Sequence, residues 1–589
     1  MPGDRSRRSV LAGLGASALS LALEGCLRKA PPFSANCPSS PHPSEDLTID
    51  AHCHIFNGSD LQAAGFLIKI QEHGQGGEAV KIAAELLQDL AWSNAPSGRE
   101  ELRVLKHMLS GKDGTSAKMT PEDHRNSAYL RAKKSILNTN RMKALAGTGT
   151  TSPSGANTRP TAESVGAQIR SGLQAGTYDE YLQRRTLAPV AKAANESPLT
   201  CKPDDTNLSV DGLLDYVVHN FHYRYVMVQD YLTTFASNSG RCVDLLVASM
   251  VDYDWWLANG KRTKTPLKTQ VAVMEQISIL SRGLLHGLVP YDPFREVAFL
   301  AGKGRRNDSS LALVQDAVRT RGFLGVKLYP PMGFAPLGNA GLGDFWKGLG
   351  LPSWTSAPVV YADKSARSFG ERLDEAMRAL YQWCWEEEVP ILAHSRMSYG
   401  PSPQFEALAG ADYWGLALGE FPHLRISFGH LGDFSDNLNQ SVPTEAVKFL
   451  KLMGDAAGSV GEHAFGDSGY YATVLTQEAC LTERLKSFYS ALPEGGRARI
   501  ADRLMYGTDW NLLLNQGDIK DYFARFAAVF AQLNAVTPVE NGRTAGQRFF
   551  GYNAAAWMGL RDGKARGRLE DFYRRNGVGV RPRWMGMVG

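Results

Sequence analysis

The chain has 589 residues, with 64 Lys plus Arg against 60 Asp plus Glu and a formal net charge of +4, so no strong field favours nucleic acid as a partner. Its length exceeds what one ordinary domain needs. The seven Cys are scattered without CxxC spacing and name no disulfide pair.

The chain opens as an export signal. Arg5, Arg7 and Arg8 lead into an apolar run from Val10 to Leu23, too short to span a bilayer comfortably and of the plan of a signal peptide. The pair Arg7-Arg8 in SRRSVL resembles a twin-arginine signal, a receptor-read address. Leu23-Glu24-Gly25-Cys26 looks like a lipoprotein cleavage box, although Glu24 departs from the small or apolar residue usual there. Residues 1–26 are therefore expected to direct export across a bacterial inner membrane to the periplasm, with membrane attachment through a lipidated Cys26. Residues 27–46, rich in Pro and Ser, read as a linker.

Behind the linker, short apolar runs alternate with helical patterns, which argues for βα units and a parallel sheet. Strands are expected at 47–55, 244–251, 284–292, 323–330, 389–395, 424–430, 464–470 and 503–509, the seventh being the weakest pattern. A helix at 266–283 carries Leu267, Val271, Met274 and Ile277 at the spacing of one face. A doubly wound sheet uses similar units, but eight strands favour a TIM-like (β/α)8 barrel over 47–562, with 563–589 as a tail. The gap after the first strand is too long for one βα unit. It reads as a mostly helical insertion, about 58–240, containing a Gly/Ser/Thr-rich loop at 145–165. A second enlarged loop, Pro331 to Arg367, follows the fourth strand. Both leave from the face where barrels place their active sites.

His52 and His54 stand two apart on a strand, so their imidazoles share a face while Cys53 points away. Alone, an HxH pair is half of a zinc site and more often packing or surface. The fifth strand ends in His394, the sixth in His430 and the eighth in Asp509. A barrel would converge all five on one pocket at the C-terminal ends of its strands.

DAHCHIF (50–56), AHS (393–395), GHLGD (429–433), YGTDW (506–510) and the closing FFGYNAAAWMGL (549–560) together resemble the amidohydrolase superfamily, in its amidohydrolase-2 branch. The resemblance implies an α/β TIM-like barrel and one divalent metal ion held by His52, His54, His394 and Asp509. Zinc is the expected ion, with manganese or iron as alternatives, and His430 takes an acid/base or polarising role. A second ion bridged by a carboxylated Lys327 is implied for two-metal relatives, but a substrate-binding or ion-paired Lys327 is the better reading. Imidazoles and a carboxylate suit such an ion, which activates water for attack on a carbonyl carbon. Asp509 then takes the proton, and His430 polarises the carbonyl or protonates the leaving group.

Lys327, Tyr329, Asp252, Arg396 and Trp510 are the candidates for substrate contact. Arg396 suits a substrate carboxylate or, equally, a structural ion pair. His219 and His222, at helical i, i+3 spacing, read as surface or packing rather than metal ligands. The expected function is hydrolysis of a C–N or C–O bond, in an amide, lactone or ester of a small molecule. The alternative is decarboxylase or hydratase (lyase) chemistry on a small carboxylic acid, since ligand identity does not separate the two. A third reading, a non-catalytic lipoprotein that uses the barrel to bind, would not need the intact ligand set.

Overall fold

The computed structural model describes residues 46–65, 88–89, 91–110, 201–202, 219–236 and 242–588, apart from 306–307, 357, 361–365, 397, 399, 455–460, 462, 515, 517, 538 and 580. The export segment, the linker up to 45 and the loop at 145–165 lie outside these residues. Ten strands occur in chain order among the described residues: β1 Ile49–His54, β2 Leu245–Ser249, β3 Leu285–Pro290, β4 Gly325–Leu328, β5 Val359–Val360, β6 Ala366–Arg367, β7 Ile391–His394, β8 Ile426–Gly429, β9 Ala464–Asp467 and β10 Leu504–Met505. Eight of them form one all-parallel sheet in the order β1-β2-β3-β4-β7-β8-β9-β10. Each falls within an expected strand, including the weak seventh. The pair β5–β6 is a small antiparallel hairpin inside the enlarged loop after β4, which its sequence did not announce.

The sheet curls into a barrel, and three hydrogen bonds draw its two edges together. Ala51 N donates to Tyr506 O (3.0 Å), while Thr508 N and Asp509 N both donate to His52 O (3.0 and 2.7 Å). The interior is filled by alternate residues of the strands: Ile49, Ala51, Leu245, Val247, Leu288, Leu392, Phe465 and Met505 form one buried cluster. The register of β1 on β2 slips between Asp50 and Cys53. That irregularity lets His52 turn inward just after inward-facing Ala51, while Cys53 joins the core outside the barrel.

The helices follow the patterns that cover such a sheet. Leu267–Leu280 buries Leu267, Val271, Met274 and Ile277. Phe369–Glu386 starts at a capping box between Ser368 and Glu371 and buries Leu373, Met377, Leu380 and Tyr381. The stretch read as a tail folds into helices Lys564–Arg575 and Arg583–Met587. Its Leu569, Phe572, Trp584 and Met585 join the interior cluster, and Tyr573 bonds His286 of β3 (2.6 Å), so this segment closes the barrel floor.

Two described pieces of the insertion are fastened firmly. Helix Gly98–Ser110 supplies Glu101 and helix Arg224–Ala236 supplies Arg224. The buried guanidinium of Arg224 bonds both Glu101 and Asp60. Asn57 Nδ2 adds a bond to Glu101 (2.9 Å), and Tyr231 donates to Asp50 of β1 (2.7 Å). Cys201 forms a disulfide with Cys480, on helix Glu478–Ala491. Cys242 is also disulfide-bonded, and Cys53 and Cys384 are buried thiols.

Candidate metal centre

At the C-terminal ends of the strands the five chemistry-bearing residues meet. His52, His54 and Asp509 place ligand-type atoms within 4.8 Å of one another. His54 Nε2 lies 3.6 Å from Asp509 Oδ1, and His430 Nε2 lies 4.0 Å from Asp509 Oδ2. His394 is not in the three-residue group; it joins through His430, with its Nδ1 3.2 Å from His430 Nε2.

Each imidazole is fixed from behind. His52 Nδ1 lies 2.9 Å from Asp467 Oδ1, His54 Nδ1 2.9 Å from Ser249 O, and His430 Nδ1 2.7 Å from Gly469 O. His394 is held by its ring, stacked on Tyr329 with centroids 4.3 Å apart. The Tyr329 hydroxyl meets Ser398 Oγ at 2.9 Å. Burial, reinforced by neighbouring cationic groups, holds His54, His394 and His430 well below the ordinary histidine range. These three rings are therefore neutral, the form that ligates a cation.

The donor set fits a divalent ion. Asp509 Oδ1 and His394 Nε2 are buried without a hydrogen-bond partner, a state that costs on the order of 1–3 kcal/mol per group and that a cation would relieve. Burial raises the Asp509 carboxyl, opposed by His52 and Lys327. Asp509 also sits in the left-handed region, at φ 50°, as does His430 at φ 65°. Both backbones are held in a costly conformation at the point where their side chains turn into the cluster.

Lys327, on β4, points into the same cluster. It is 2% exposed, and its Nζ lies 3.2 Å from His52 Nε2. Burial lowers it to about 8, against the pull of Asp467 and Asp509. A cavity of about 10 Å³ lies behind Lys327 and Tyr329, bounded also by Asp252, Trp256 and Asp292, with room for one water-sized group.

Three of the candidates for substrate contact have other tasks. Asp252 forms a two-pronged ion pair with Arg295 (2.6 and 2.8 Å), because the guanidinium buried beside it needs a carboxylate. Arg396 is spent on Asp433 (2.8 Å) and Asp436 (2.6 Å) and lies over the Tyr470 ring. Trp510 is fully buried, edge-on to His219, Tyr231 and Phe235, so it seats the insertion on the barrel. His219 and His222 are buried in the turn that precedes helix Arg224–Ala236 and serve packing.

Sequence reasoning missed Asp467. Its strand was the weakest pattern, and a lone acid at a strand end gives little signal without the neighbour it serves. Buried at the end of β9, it accepts from His52 Nδ1, Gly469 N (2.9 Å), His430 N (3.3 Å) and Ser427 Oγ (3.0 Å). Burial works against its ionisation, but His52, His430 and the Gly469 amide outweigh that and hold the carboxyl well below the usual carboxylate range.

No family model matches the chain, and no curated protein matches it. Among solved structures, the chain is similar to 2,6-dihydroxybenzoate decarboxylase complexed with 2,6-dihydroxybenzoate, at 13% identity over 56% of this chain and 92% of that one, with a TM-score of 0.29. It is also similar to 5-carboxyvanillate decarboxylase from Novosphingobium aromaticivorans complexed with manganese and a nitrobenzoic acid (14% identity, 56% of this chain and 80% of that one, TM-score 0.30). The 5-carboxyvanillate decarboxylase of Sphingomonas paucimobilis gives 12% identity over 54% and 79%, with a TM-score of 0.28.

Proposed function

We propose that this chain is a metal-dependent enzyme of the amidohydrolase type that removes a carboxylate, as CO₂, from a small carboxylic acid. The observation that carries the proposal is Lys327. Its buried ammonium faces the ligand cluster and, among the described residues, makes no ion pair with a carboxylate in contact. Asp467 and Asp509 attract it only from farther away, and a buried cation without a carboxylate in contact is costly, so an anionic substrate group would complete it. A neutral amide, ester or lactone brings no such group, so the lyase reading is favoured over the hydrolysis expected from the motifs alone.

His52, His54, Asp509 and His394 would hold the divalent ion, which supplies Lewis-acid polarisation and orients the substrate when bound. Zinc, manganese and iron all suit this donor set. Lys327 holds the substrate carboxylate. As the C–C bond breaks, its electron pair stays on the carbon that bore the carboxylate, CO₂ leaves, and that carbon takes a proton. Asp509, as its carboxylic acid, would deliver it, with His430 Nε2 4.0 Å away to take up a replacement proton and hand it on. The Cys201–Cys480 disulfide supports reading the chain as an exported protein, since disulfides persist in oxidising compartments.

The test loads purified protein with zinc, manganese or iron and offers two substrate panels. One contains hydroxybenzoates, with 2,6-dihydroxybenzoate and 5-carboxyvanillate first; the other contains amides, esters and lactones. Expected are CO₂ release from a carboxylic acid and loss of bound metal in His52→Ala and Asp509→Ala. Turnover confined to the second panel would sink the lyase reading, and metal content unchanged in both variants would sink the site.

A further inference from the structure

An imidazole ligates only through a nitrogen that bears no proton, so which nitrogen of each ring is the donor decides what that ring presents to the centre. What it presents is set by the partner of its other nitrogen. The hydrogen bonds decide this ring by ring. Asp467 Oδ1 already receives the amides of His430 and Gly469, which can only donate, so His52 Nδ1 donates to it as well and Nε2 is the nitrogen that His52 turns to the cluster. That nitrogen lies 3.2 Å from Lys327 Nζ, whose ammonium donates to it. The carbonyl of Gly469 can only accept, so His430 Nδ1 donates and His430 Nε2 is bare. His394 Nδ1 must then donate to His430 Nε2 (3.2 Å), which leaves His394 Nε2 bare and without a partner.

One residue stands at the head of this chain of choices. Asp467 Oδ1 receives His52 Nδ1, the His430 amide and the Gly469 amide, and the last of these places the carbonyl that fixes His430. Space is tight as well, since a Cβ on Gly469 would lie 2.6 Å from His52 Nδ1. We infer that Asp467 is a positioning residue that sets the proton pattern of His52 directly, and of His430 and His394 through Gly469, so that His52 and His394 turn bare Nε2 atoms to the metal while His430 Nε2 accepts from His394 and holds that ring in place. This role rests on the metal-centre reading of the cluster.

Two variants separate the proton pattern from the charge. In Asp467→Asn the amide oxygen can keep the three donors of Oδ1 while Nδ2 donates to Ser427 Oγ, whose hydroxyl rotates to accept. Asp467→Ala removes every acceptor. The readouts are ¹⁵N-histidine NMR of the metal-free protein, with His52 assigned from His52→Gln, and titration with Mn²⁺ alone. Wild type is expected to show His52 protonated at Nδ1. Asp467→Asn should keep that signature and stay within about 10-fold of wild-type Mn²⁺ affinity. Asp467→Ala should lose the signature and bind Mn²⁺ about 10–100-fold more weakly. A wild-type His52 protonated at Nε2 overturns the proposal whether or not the alanine variant folds. So does an asparagine variant as impaired as the alanine one, because charge would then be the cause. Wild type that binds no Mn²⁺, zinc or iron defeats the metal-centre reading itself, whereas binding that is equal in wild type and both variants defeats only the role of Asp467.

Discussion

Tyr231 donates its hydroxyl to Asp50 Oδ2 across 2.7 Å, and this bond ties a helix of the insertion to the strand that carries His52. The same carboxylate accepts from Thr508 Oγ1 (2.6 Å), Thr508 N (3.1 Å) and His52 N (3.1 Å). Asp50 thus joins the insertion, the first strand and the loop of Asp509. Because three donors remain in Tyr231→Phe, the loss should stay near about 1 kcal/mol. Urea midpoints of variant and wild type check it, and a loss below the error of the method would mean that the insertion is fastened elsewhere.

The Arg224 cluster predicts a pH dependence of stability. Burial raises Glu101 to about 7; Arg224 opposes this and Asp60 adds to it. A carboxyl whose folded value lies above its ordinary value of 4.5 stabilises the fold fully below that value, and the benefit is lost as pH rises through about 7. Glu101→Gln has no such proton to lose. Its deficit against wild type should therefore shrink between pH 5.5 and pH 8.5, as thermal melts at the two pH values would show. A deficit that widens would contradict the sign.

Lys327 predicts a pH dependence of binding. Burial lowers its ammonium to about 8, and a cation bound nearby would lower it further. Affinity for a carboxylate substrate should be present below that value and fall as Lys327 loses its proton. KM is expected to climb from below about pH 8 upward on the metal-loaded protein. Lys327→Met should raise KM at least about 10-fold at pH 7, the worth of one charge-assisted bond, and flatten the climb. An unchanged KM profile would remove Lys327 from substrate binding.

Glycines crowd His52, and one of them offers a steric test. A Cβ on Gly507 would lie 2.8 Å from the Cβ of His52, while a Cβ on Gly415 would meet nothing within 4 Å. Gly507→Ala should cost about 1–3 kcal/mol by overpacking and weaken metal binding, because His52 must move. Gly415→Ala should leave both unchanged or raise stability slightly, since Ala suits a helix interior better than Gly. Melting and Mn²⁺ titration of the pair check this; equal behaviour would mean that the His52 backbone yields freely.

The sequence carried the parts of this molecule that obey a period or a repeated position. All eight barrel strands follow from apolar runs, and His52, His54, His394, His430 and Asp509 are visible because each stands near the end of an expected strand. What it hid depends on neighbours distant in the chain. Asp467 has no meaning until His52 stands beside it, and Cys201 and Cys480 are separated by 279 residues. Asp252 and Arg396 look like rim residues on a sequence, yet each is spoken for by a partner that only folding brings near. Trp510 follows a ligand in sequence, but the helix beginning at it turns its ring away, toward Tyr231 and Phe235.

The seam where His52 O receives Thr508 N and Asp509 N also sets an order of events. Asp50 and its partner Thr508 are 458 residues apart, so the first two histidines emerge long before the carboxylate that completes their group. At roughly 5–20 residues per second that interval is on the order of half a minute to a minute and a half of synthesis. The candidate ligand set can close only when the last strand docks, so under the proposed function ion capture would come late and would report that the whole barrel has been assembled.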